Sequence, residues 1–273
     1  MTPPDDLAFA RLAQVIAQGS GFTVEAYKEK CVRRRIAVRM RACGVHTYQD
    51  YQTLLERTPA EYELLRDALT INVTRFYRNA ETWNRLRRDL VPQLCAEPMT
   101  RLTAWSAGCS SGEEPYTLAA LIADALDRSG RADQLDRVTI DATDVDRGSL
   151  ERAAGGRYST EALSEMPPEL VRAYFEADGA EHRVIERLRR RVHVRRLDLN
   201  QEPPVRRAYH LILCRNVVIY FDRLMQEQLF QTFATALAPG GYLVLGKVET
   251  LFGPARDLLQ LIDPRERIYR RPG

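Results

Sequence analysis

The chain has 273 residues, of which 45% are hydrophobic and 28% charged, as is typical of a globular protein with one large domain or one large and one small domain. No stretch approaches the roughly 18 consecutive apolar residues of a membrane span, and the acidic start lacks a secretory signal pattern, so we expect a cytoplasmic protein without membrane insertion. The net charge of +3 does not by itself indicate a nucleic-acid partner. The five cysteines form no C-x-x-C pair, so we expect neither a disulfide framework nor a metal site.

The N-terminal part of the chain, residues 7–70, is predicted to be all helical. In one of its helices apolar residues recur every four positions at Val32, Ile36 and Met40, which marks a buried face. Beside that face lie the basic residues Lys28, Arg33, Arg34, Arg35, Arg39 and Arg41. Most such runs are solvated helix faces, but a positive stripe also suits an acidic partner. No aromatic residues interleave with the arginines, which disfavours a nucleic-acid interface.

After residue 100, strand candidates alternate with helices, which predicts a mainly parallel α/β sheet with right-handed crossovers. The strand candidates are 102–107, 138–143, 192–197, 210–214, 242–245 and 267–270, and the helices are 114–127, 146–154 and 222–237. Residues 155–191 break the alternation and are predicted to be a small insertion. We therefore expect a helical N-terminal domain over 1–75, a helical linker over 76–98 and a sheet domain over 99–273.

The turn after the first predicted strand is the most informative segment, Trp105-Ser-Ala-Gly-Cys-Ser-Ser-Gly-Glu-Glu-Pro-Tyr116. Its two glycines allow a tight turn and a close backbone approach to a ligand, at the sheet edge where α/β proteins bind nucleotides. A phosphate loop presents bare N–H groups to an anion, whereas Glu113 would meet a cationic or amine-bearing ligand. S-adenosylmethionine carries a sulfonium and an amino group, and the G-x-G-x-x-G pattern of dinucleotide sites is absent. The sequence therefore favours S-adenosylmethionine.

Acidic residues near this turn have competing interpretations. Asp144 closes the second predicted strand, where a carboxylate can bind ribose hydroxyls, or it caps the next helix. Asp146 is better placed for that cap, which favours Asp144 as the ribose ligand. Glu113 and Glu114 could both merely complement the helix dipole.

Four motifs occur in order along the chain: Asn72-Val-Thr-Arg-Phe-Tyr-Arg78, the turn 105–116, Ala142-Thr-Asp-Val-Asp146 and Cys214-Arg-Asn-Val-Val-Ile-Tyr-Phe221. Together they resemble the chemoreceptor glutamate O-methyltransferases, the CheR family of bacterial chemotaxis, over nearly the whole chain. The resemblance implies a class I methyltransferase, with a Rossmann-like, mostly parallel sheet, an all-helical N-terminal domain and a small inserted β-subdomain. It also implies methyl transfer from S-adenosylmethionine to receptor glutamates, giving methyl esters in chemotaxis adaptation and S-adenosylhomocysteine as product.

The resemblance assigns roles to individual residues. The cofactor-binding set that it implies is Asn72, Thr74, Arg78, Glu113, Asp144, Asp198, Leu199, Arg215 and Asn216. Within this set Glu113 lies near the methionyl end, Asp144 binds the ribose, and Asp198 and Leu199 hold the adenine. Arg78, beside the reacting methyl, and Tyr220, in the substrate cleft, are the implied catalytic residues.

Several of these residues also have structural interpretations. Asn72 and Thr74 could cap a helix, and Asp198 could be a solvated strand end. Arg215 could form an ion pair with a neighbouring acid. Tyr220 could be a core aromatic, because apolar residues surround it in the sequence.

The implied partner is the cytoplasmic helical domain of a methyl-accepting chemoreceptor, docked by the basic helix around Arg33–Arg41. Some family members hold a receptor's C-terminal pentapeptide with the β-subdomain, but the turn at 177–182 is short here, so we expect docking without that tether. The family commonly has Gly-His-Ser-Glu where this chain has Gly246-Lys-Val-Glu249. A glutamate acceptor is already ionised at neutral pH, so no histidine base is needed. The alternatives are a different methyl acceptor and a signalling module that binds the cofactor without turnover.

Overall fold

The computed structural model describes residues 4–20, 22–69, 74–96 and 99–273. Contacts between Cα atoms divide the chain into two compact units. The first, the helical unit, comprises Met1–Ile71 together with Ile219–Gln226. The second, the sheet unit, comprises Asn72–Val218 and Glu227–Gly273.

The helical unit is built from four helices, α1 (Pro4–Ser20), α2 (Glu29–Ala42), α3 (Tyr48–Arg57) and α4 (Pro59–Leu69), and a 3₁₀ turn at Val24–Ala26. Val32, Ile36 and Met40 on α2 are buried in one apolar core, as the four-residue spacing predicts. Thr47 caps α3 by accepting the N–H of Asp50 at 3.1 Å. This part of the fold follows directly from the sequence pattern.

A segment from the last third of the chain completes the helical unit. The N–H of Lys28 donates to the carbonyl oxygen of Tyr220 at 2.9 Å, and the N–H of Asp222 donates to that of Ala26 at 3.0 Å. Between these two bonds the rings of Tyr27 and Phe221 lie 4.8 Å apart. Backbone pairing and aromatic packing therefore attach residues 219–226 to the start of α2.

The sheet unit contains the predicted α/β sheet. Its strands are β1 (Leu102–Ala107), β2 (Val138–Asp144), β6 (Val192–Arg196), β7 (Tyr209–Cys214), β8 (Leu237–Leu245), β9 (Gln260–Asp263) and β10 (Ile268–Arg270). Their spatial order is β6-β2-β1-β7-β8-β10-β9. The first five are parallel, and β10 runs antiparallel to both of its neighbours. A mostly parallel, Rossmann-like sheet is therefore confirmed.

Helices and a smaller sheet complete this unit. The helices are α5 (Ala80–Arg85), α6 (Val91–Leu94), α7 (Glu113–Arg128), α8 (Arg147–Gly155), α9 (Pro168–Tyr174), α10 (Glu186–Arg189), α11 (Arg223–Ala236) and α12 (Ala255–Leu258). A π-helical turn, Leu86–Leu90, joins α5 to α6, and α11 begins within the 219–226 segment. Trp83, Leu86 and Leu90, from the predicted linker, lie in the core of the sheet unit.

Three short antiparallel strands form a separate sheet within the predicted insertion. They are β3 (Arg157–Ser159), β4 (Phe175–Asp178) and β5 (Glu181–Val184), with β5 in the middle. We call residues 155–191, which contain them, the β-subdomain. None of the helices in the described part of the chain has the length and apolar content needed to cross a bilayer.

Two strand predictions were incomplete. Strand β8 begins at Leu237, five residues before the predicted 242, because the Pro239-Gly240-Gly241 segment continues the strand after an irregular register against β7. Strand β9 was not predicted at all. It is an edge strand whose side chains are largely exposed, so it lacks the apolar pattern of a buried strand.

Candidate functional site

The carboxyl ends of the five parallel strands lie at one edge of the sheet. The strand order reverses between β1 and β7, so this edge has a topological switch point next to β1. In open α/β sheets, ligands bind in the crevice at such a point. The predicted cofactor residues from Asp144 onward lie at the ends of these strands or in the loops that follow them, and Glu113 is the first residue of α7, after the loop that follows β1.

The loop between β1 and α7 has a backbone that requires glycine at two positions. Gly108 and Gly112 have φ values of +82° and +98°. A Cβ atom at Gly108 would lie 2.5 Å from Val217 Cγ2, and one at Gly112 would lie 2.6 Å from the hydroxyl of Tyr158. The N–H of Gly108 also donates to the carbonyl oxygen of Thr143 at 2.8 Å. The loop is thus fixed against the end of β2 and against the β-subdomain.

Asp144 fastens the same loop. One of its carboxylate oxygens accepts the N–H of Ser110 at 2.8 Å, and the other accepts the N–H of Asp146 at 3.0 Å. Burial raises the pKa of Asp144 above its ordinary value. Capping of α8 falls to Asp146, whose carboxylate accepts the N–H groups of Gly148 and Ser149. Each Asp144 oxygen can accept a further hydrogen bond, so the carboxylate retains capacity for a ligand hydroxyl.

Glu113 is a buried carboxylate that forms no ion pair in the described chain, although the charge of Arg152 acts on it. Its side chain accepts the Ser111 hydroxyl at 3.0 and 2.9 Å and is hydrogen-bonded to the side chain of Thr74. Burial raises the pKa of Glu113, and hydrogen bonds together with the charge of Arg152 offset this only in part. Within the described residues no Lys, Arg or His forms an ion pair with it. A buried carboxylate of this kind is costly unless a cationic group arrives to neutralise it.

Glu114 has a different environment. It accepts the Ser106 hydroxyl at 2.8 Å and lies 3.4 Å from Nη1 of Arg215. Arg215 also donates to the carbonyl oxygen of Arg78 at 2.6 Å and to the side chain of Asn79 at 3.2 Å. The ion pair that was the alternative interpretation of Arg215 is therefore present, and it ties the 78–79 turn to α7. A direct contact of Arg215 with the cofactor stays a prediction.

Asp198 and Leu199 follow β6. The Asp198 carboxylate accepts the N–H of Asn200 at 2.9 Å and the side-chain amide of Gln201 at 3.0 Å. It is buried rather than a solvated strand end, and burial raises its pKa. Leu199 beside it is half-buried. The two residues have the polar and apolar character expected at an adenine site. The hydrogen bonds of the Asp198 side chain to Asn200 and Gln201 stabilise the turn that follows β6.

Glu249 was missed as a site residue. It is buried, and its Oε2 accepts the N–H of Asn216 at 3.0 Å and that of Gly246 at 2.6 Å, joining the loops after β7 and β8. Asn216 has a φ of +61°, and its Oδ1 is buried with no hydrogen-bond partner in the described chain. The signal in the sequence is the acid three residues after Gly246, which the Gly246-Lys-Val-Glu249 segment shares with the Gly-His-Ser-Glu of the family.

The remaining predicted residues lie elsewhere or outside the description. Asn72 lies outside the described residues. Thr74 contacts Glu113 as stated, and Arg78 is half-buried. Tyr220 belongs to the helical unit, where it is half-buried, and the guanidinium of Arg35 lies 6.0 Å from its ring centroid. The predicted catalytic roles of Arg78 and Tyr220 stay predictions.

The basic residues of helix α2 fall into two groups. One group forms ion pairs or hydrogen bonds within the helical unit, and the other is exposed without an ion-pair partner in the described chain. Arg33 binds Asp6 and Glu29 at 2.7 and 2.6 Å, and Arg39 binds both carboxylate oxygens of Glu61 at 2.9 and 2.8 Å.

Arg35 donates to the carbonyl oxygens of Ala68 and Leu69, at 2.8 and 2.9 Å. Three of the predicted docking residues thus hold the helical unit together. Lys30, Arg34 and Arg41, by contrast, are exposed along one side of α2, beside Val38, which is 49% exposed. Among the described residues none of these three cations has an ion-pair partner.

No group of three or more His, Cys, Asp or Glu side chains in the described ranges is arranged to hold a metal ion. Burial raises the pKa of the thiols of Cys95, Cys109 and Cys214, and all five cysteines are free.

Comparison with known proteins covers almost the whole chain. Residues 7–70 match the family model described as CheR methyltransferase, all-alpha domain, and residues 72–267 match CheR methyltransferase, SAM binding domain. The chemotaxis protein methyltransferase of Klebsiella aerogenes is 34% identical over 266 residues, which is 93% of this chain and 87% of that protein. The protein of the same name from Listeria innocua is 31% identical over 255 residues, covering 93% and 94%. That of Escherichia coli K12 is 32% identical over 251 residues, covering 89% and 84%.

Proposed function

The chain belongs to the CheR methyltransferase family, and on that premise we propose that it methylates glutamate side chains of membrane chemoreceptors. It is an S-adenosylmethionine-dependent methyltransferase. The relatives' names, which refer to chemotaxis, support a chemoreceptor as the acceptor. The observation that carries the proposal is Glu113, a buried carboxylate with raised pKa and no ion pair in the described chain, at the switch point of the sheet.

The residues at the sheet edge fit S-adenosylmethionine. Glu113 lacks an ion-pair partner within the described chain, and the amino group of the cofactor would supply one. Asp144 has accepting capacity for ribose hydroxyls, and Asn216 has a buried Oδ1 that lacks a donor in the described chain. Asp198 and Leu199 offer a polar group and an apolar wall for adenine. We assign these residues to the cofactor, together with Asn72, Thr74, Arg78 and Arg215.

The bound cofactor supplies an electrophilic methyl group, and the residues of the chain position that methyl group and the acceptor carboxylate relative to each other. A receptor glutamate is ionised at neutral pH, so none of the chain's residues has to remove a proton from it. Arg78 would orient the incoming carboxylate or that of the cofactor, and its backbone is held by Arg215. Tyr220 would shape the channel for the acceptor. Catalysis would then come mainly from orientation and from excluding water.

The exposed side of α2 supports an acidic partner. Lys30, Arg34 and Arg41 form a positive stripe around the half-exposed Val38, so the stripe offers both steering and apolar contact. We propose that this stripe docks the cytoplasmic helical domain of a methyl-accepting chemoreceptor. The Arg33, Arg35 and Arg39 side chains contribute by holding α2 in place rather than by direct contact.

The experiment is transfer of a tritiated methyl group from S-adenosylmethionine to purified cytoplasmic receptor fragments. We expect incorporation that is released as methanol by mild base, as an ester is, and that is lost when the methylated glutamates of the fragment are replaced by alanine. Base-stable incorporation would mean a different acceptor. Binding of S-adenosylhomocysteine without incorporation into any receptor would mean a cofactor-binding signalling module.

A further inference from the structure

One side chain of the β-subdomain reaches the edge of the main sheet. Tyr158, the middle residue of β3, is buried, and its hydroxyl donates to the carbonyl oxygen of Ser111 at 2.7 Å. A Cβ atom at Gly112 would lie only 2.6 Å from that hydroxyl and 3.0 Å from the Cβ of Ala153. The glycine therefore admits the tyrosine as well as allowing the turn.

The ring of Tyr158 contacts a second segment. It packs edge-on against the ring of Phe76, with centroids 4.7 Å apart. Phe76 lies between Thr74 and Arg78, and its N–H donates to the carbonyl oxygen of Ala162 at 3.3 Å. The segment that precedes α5 is thus also fixed to the β-subdomain.

Both segments that Tyr158 contacts hold Glu113. Ser111 donates its hydroxyl to the Glu113 carboxylate, and Thr74 is hydrogen-bonded to the same group. Burial, and then the charge of Glu113, raise the pKa of Tyr158 well above 10, so its hydroxyl remains a donor at neutral pH. A single phenol therefore connects the two supports of the carboxylate.

We propose that Tyr158 is a positioning residue for the cofactor, through which the β-subdomain holds the 108–112 loop in the conformation that presents Glu113. The β-subdomain then takes part in cofactor binding, whatever it contributes to docking. This inference rests on the proposed role of Glu113 and adds to it a residue that does not touch the ligand.

The test removes only the hydroxyl, in the Tyr158→Phe variant of the full chain. Calorimetric titration with S-adenosylhomocysteine should show binding weakened roughly three- to tenfold, the effect of one hydrogen bond, with the ring contact to Phe76 retained. Amide hydrogen exchange in the unliganded protein should be faster in residues 108–112.

The matched control is Tyr174→Phe. Tyr174, at the end of α9, is also buried and donates its hydroxyl to Asp127 at 2.9 Å, away from the loop. This variant should lose stability like Tyr158→Phe but bind S-adenosylhomocysteine as tightly as wild type. If both variants lost affinity for S-adenosylhomocysteine equally, Tyr158 would have only a general structural role, and the inference would be overturned. Wild-type affinity and loop exchange in Tyr158→Phe would overturn it as well. Failure of the wild type to bind S-adenosylhomocysteine would instead contradict the proposed function.

Discussion

Two buried glutamates, Glu61 of the helical unit and Glu113 of the sheet unit, have similar exposure, but their pKa values are shifted in opposite directions. Glu61 in the helical unit is 5% exposed, and Glu113 in the sheet unit is 6% exposed. Burial alone would raise both pKa values. Hydrogen bonds from Arg39 and Tyr51 outweigh burial at Glu61 and lower its pKa, whereas burial dominates at Glu113 and raises it. Burial therefore does not by itself set the direction of the shift: the ion pair with Arg39 reverses its effect at Glu61, and no ion pair does so at Glu113.

Two adjacent residues also differ in their partners, although burial raises the pKa of both. Glu114 is paired with Arg215 at 3.4 Å, while Glu113 accepts hydroxyl and backbone donors and forms no ion pair in the described chain. A folded protein tolerates such an unneutralised carboxylate at a cost, which is regained when a ligand brings the missing charge. The predictions below test whether Glu61 serves stability and Glu113 serves binding.

The largest effect is expected for Glu61→Ala. The substitution leaves Arg39 and the Tyr51 hydroxyl without their partner, which should destabilise the protein by about 3 kcal/mol. Urea unfolding measures this loss. Below the unfolding transition, affinity for S-adenosylhomocysteine should be that of the wild type. A weakened affinity in the folded variant would remove the contrast between the two glutamates.

Glu113→Gln should have the converse effect. Loss of a charge-assisted hydrogen bond to the cofactor's amino group should weaken S-adenosylhomocysteine binding about 30-fold. Stability without ligand should be unchanged or higher, because a buried charge is removed. Calorimetry and thermal unfolding on the same sample give both values. The matched control, Glu114→Gln, should lower stability through Arg215 instead.

Lowering the pH should affect Glu113 and Glu61 in different ways. Burial raises the pKa of Glu113, so as the pH falls through this raised pKa the carboxylate is protonated and S-adenosylhomocysteine binding weakens. Without ligand the sign is reversed for stability, since a raised pKa favours the folded state at low pH and the gain is lost as pH rises. The stabilisation from Glu61 is present above its unfolded pKa and is lost only as pH falls through its lowered value.

Binding should therefore weaken at a pH where circular dichroism still reports folded helices. Glu113→Gln should flatten most of this profile, with the remainder due to Asp144, whose pKa is also raised. An identical pH profile in wild type and variant would contradict the role of Glu113.

The smallest effect is expected at the docking stripe. Arg34→Glu combined with Arg41→Glu should raise the KM for a receptor fragment about fivefold at low salt, with less effect at high salt. Binding of S-adenosylhomocysteine should not change. Arg190→Glu, at an exposed site on the β-subdomain where Arg190 pairs with Glu186 at 3.2 Å, is the control, and an equal rise in its KM would mean that α2 has no special role.

Local sequence patterns predicted much of the fold and part of the site. The glycines at 108 and 112, the acid at the end of β2 and the four-residue spacing on α2 are each readable within a few positions, because backbone geometry and helical periodicity impose them. The local pattern did not show that Glu114, and not Glu113, pairs with an arginine, because Arg215 lies 101 positions away in the sequence.

Contacts between residues far apart in the sequence also explain two other features that the sequence did not predict. The 219–226 segment joins the helical unit through backbone bonds to Ala26 and Lys28, which leave no trace in side-chain pattern. Arg35 and Arg39 looked like docking residues because their partners, at the end of α4 and at Glu61, become neighbours only on folding.

A crystal structure of the full chain with S-adenosylhomocysteine tests the central claim most directly. We predict that the ligand lies across the carboxyl ends of β2 and β1, with its amino group within hydrogen-bond distance of Glu113 and its ribose hydroxyls on Asp144. A ligand bound elsewhere, or a Glu113 carboxylate that still contacts only Ser111 and Thr74 with the ligand in place, would contradict the account.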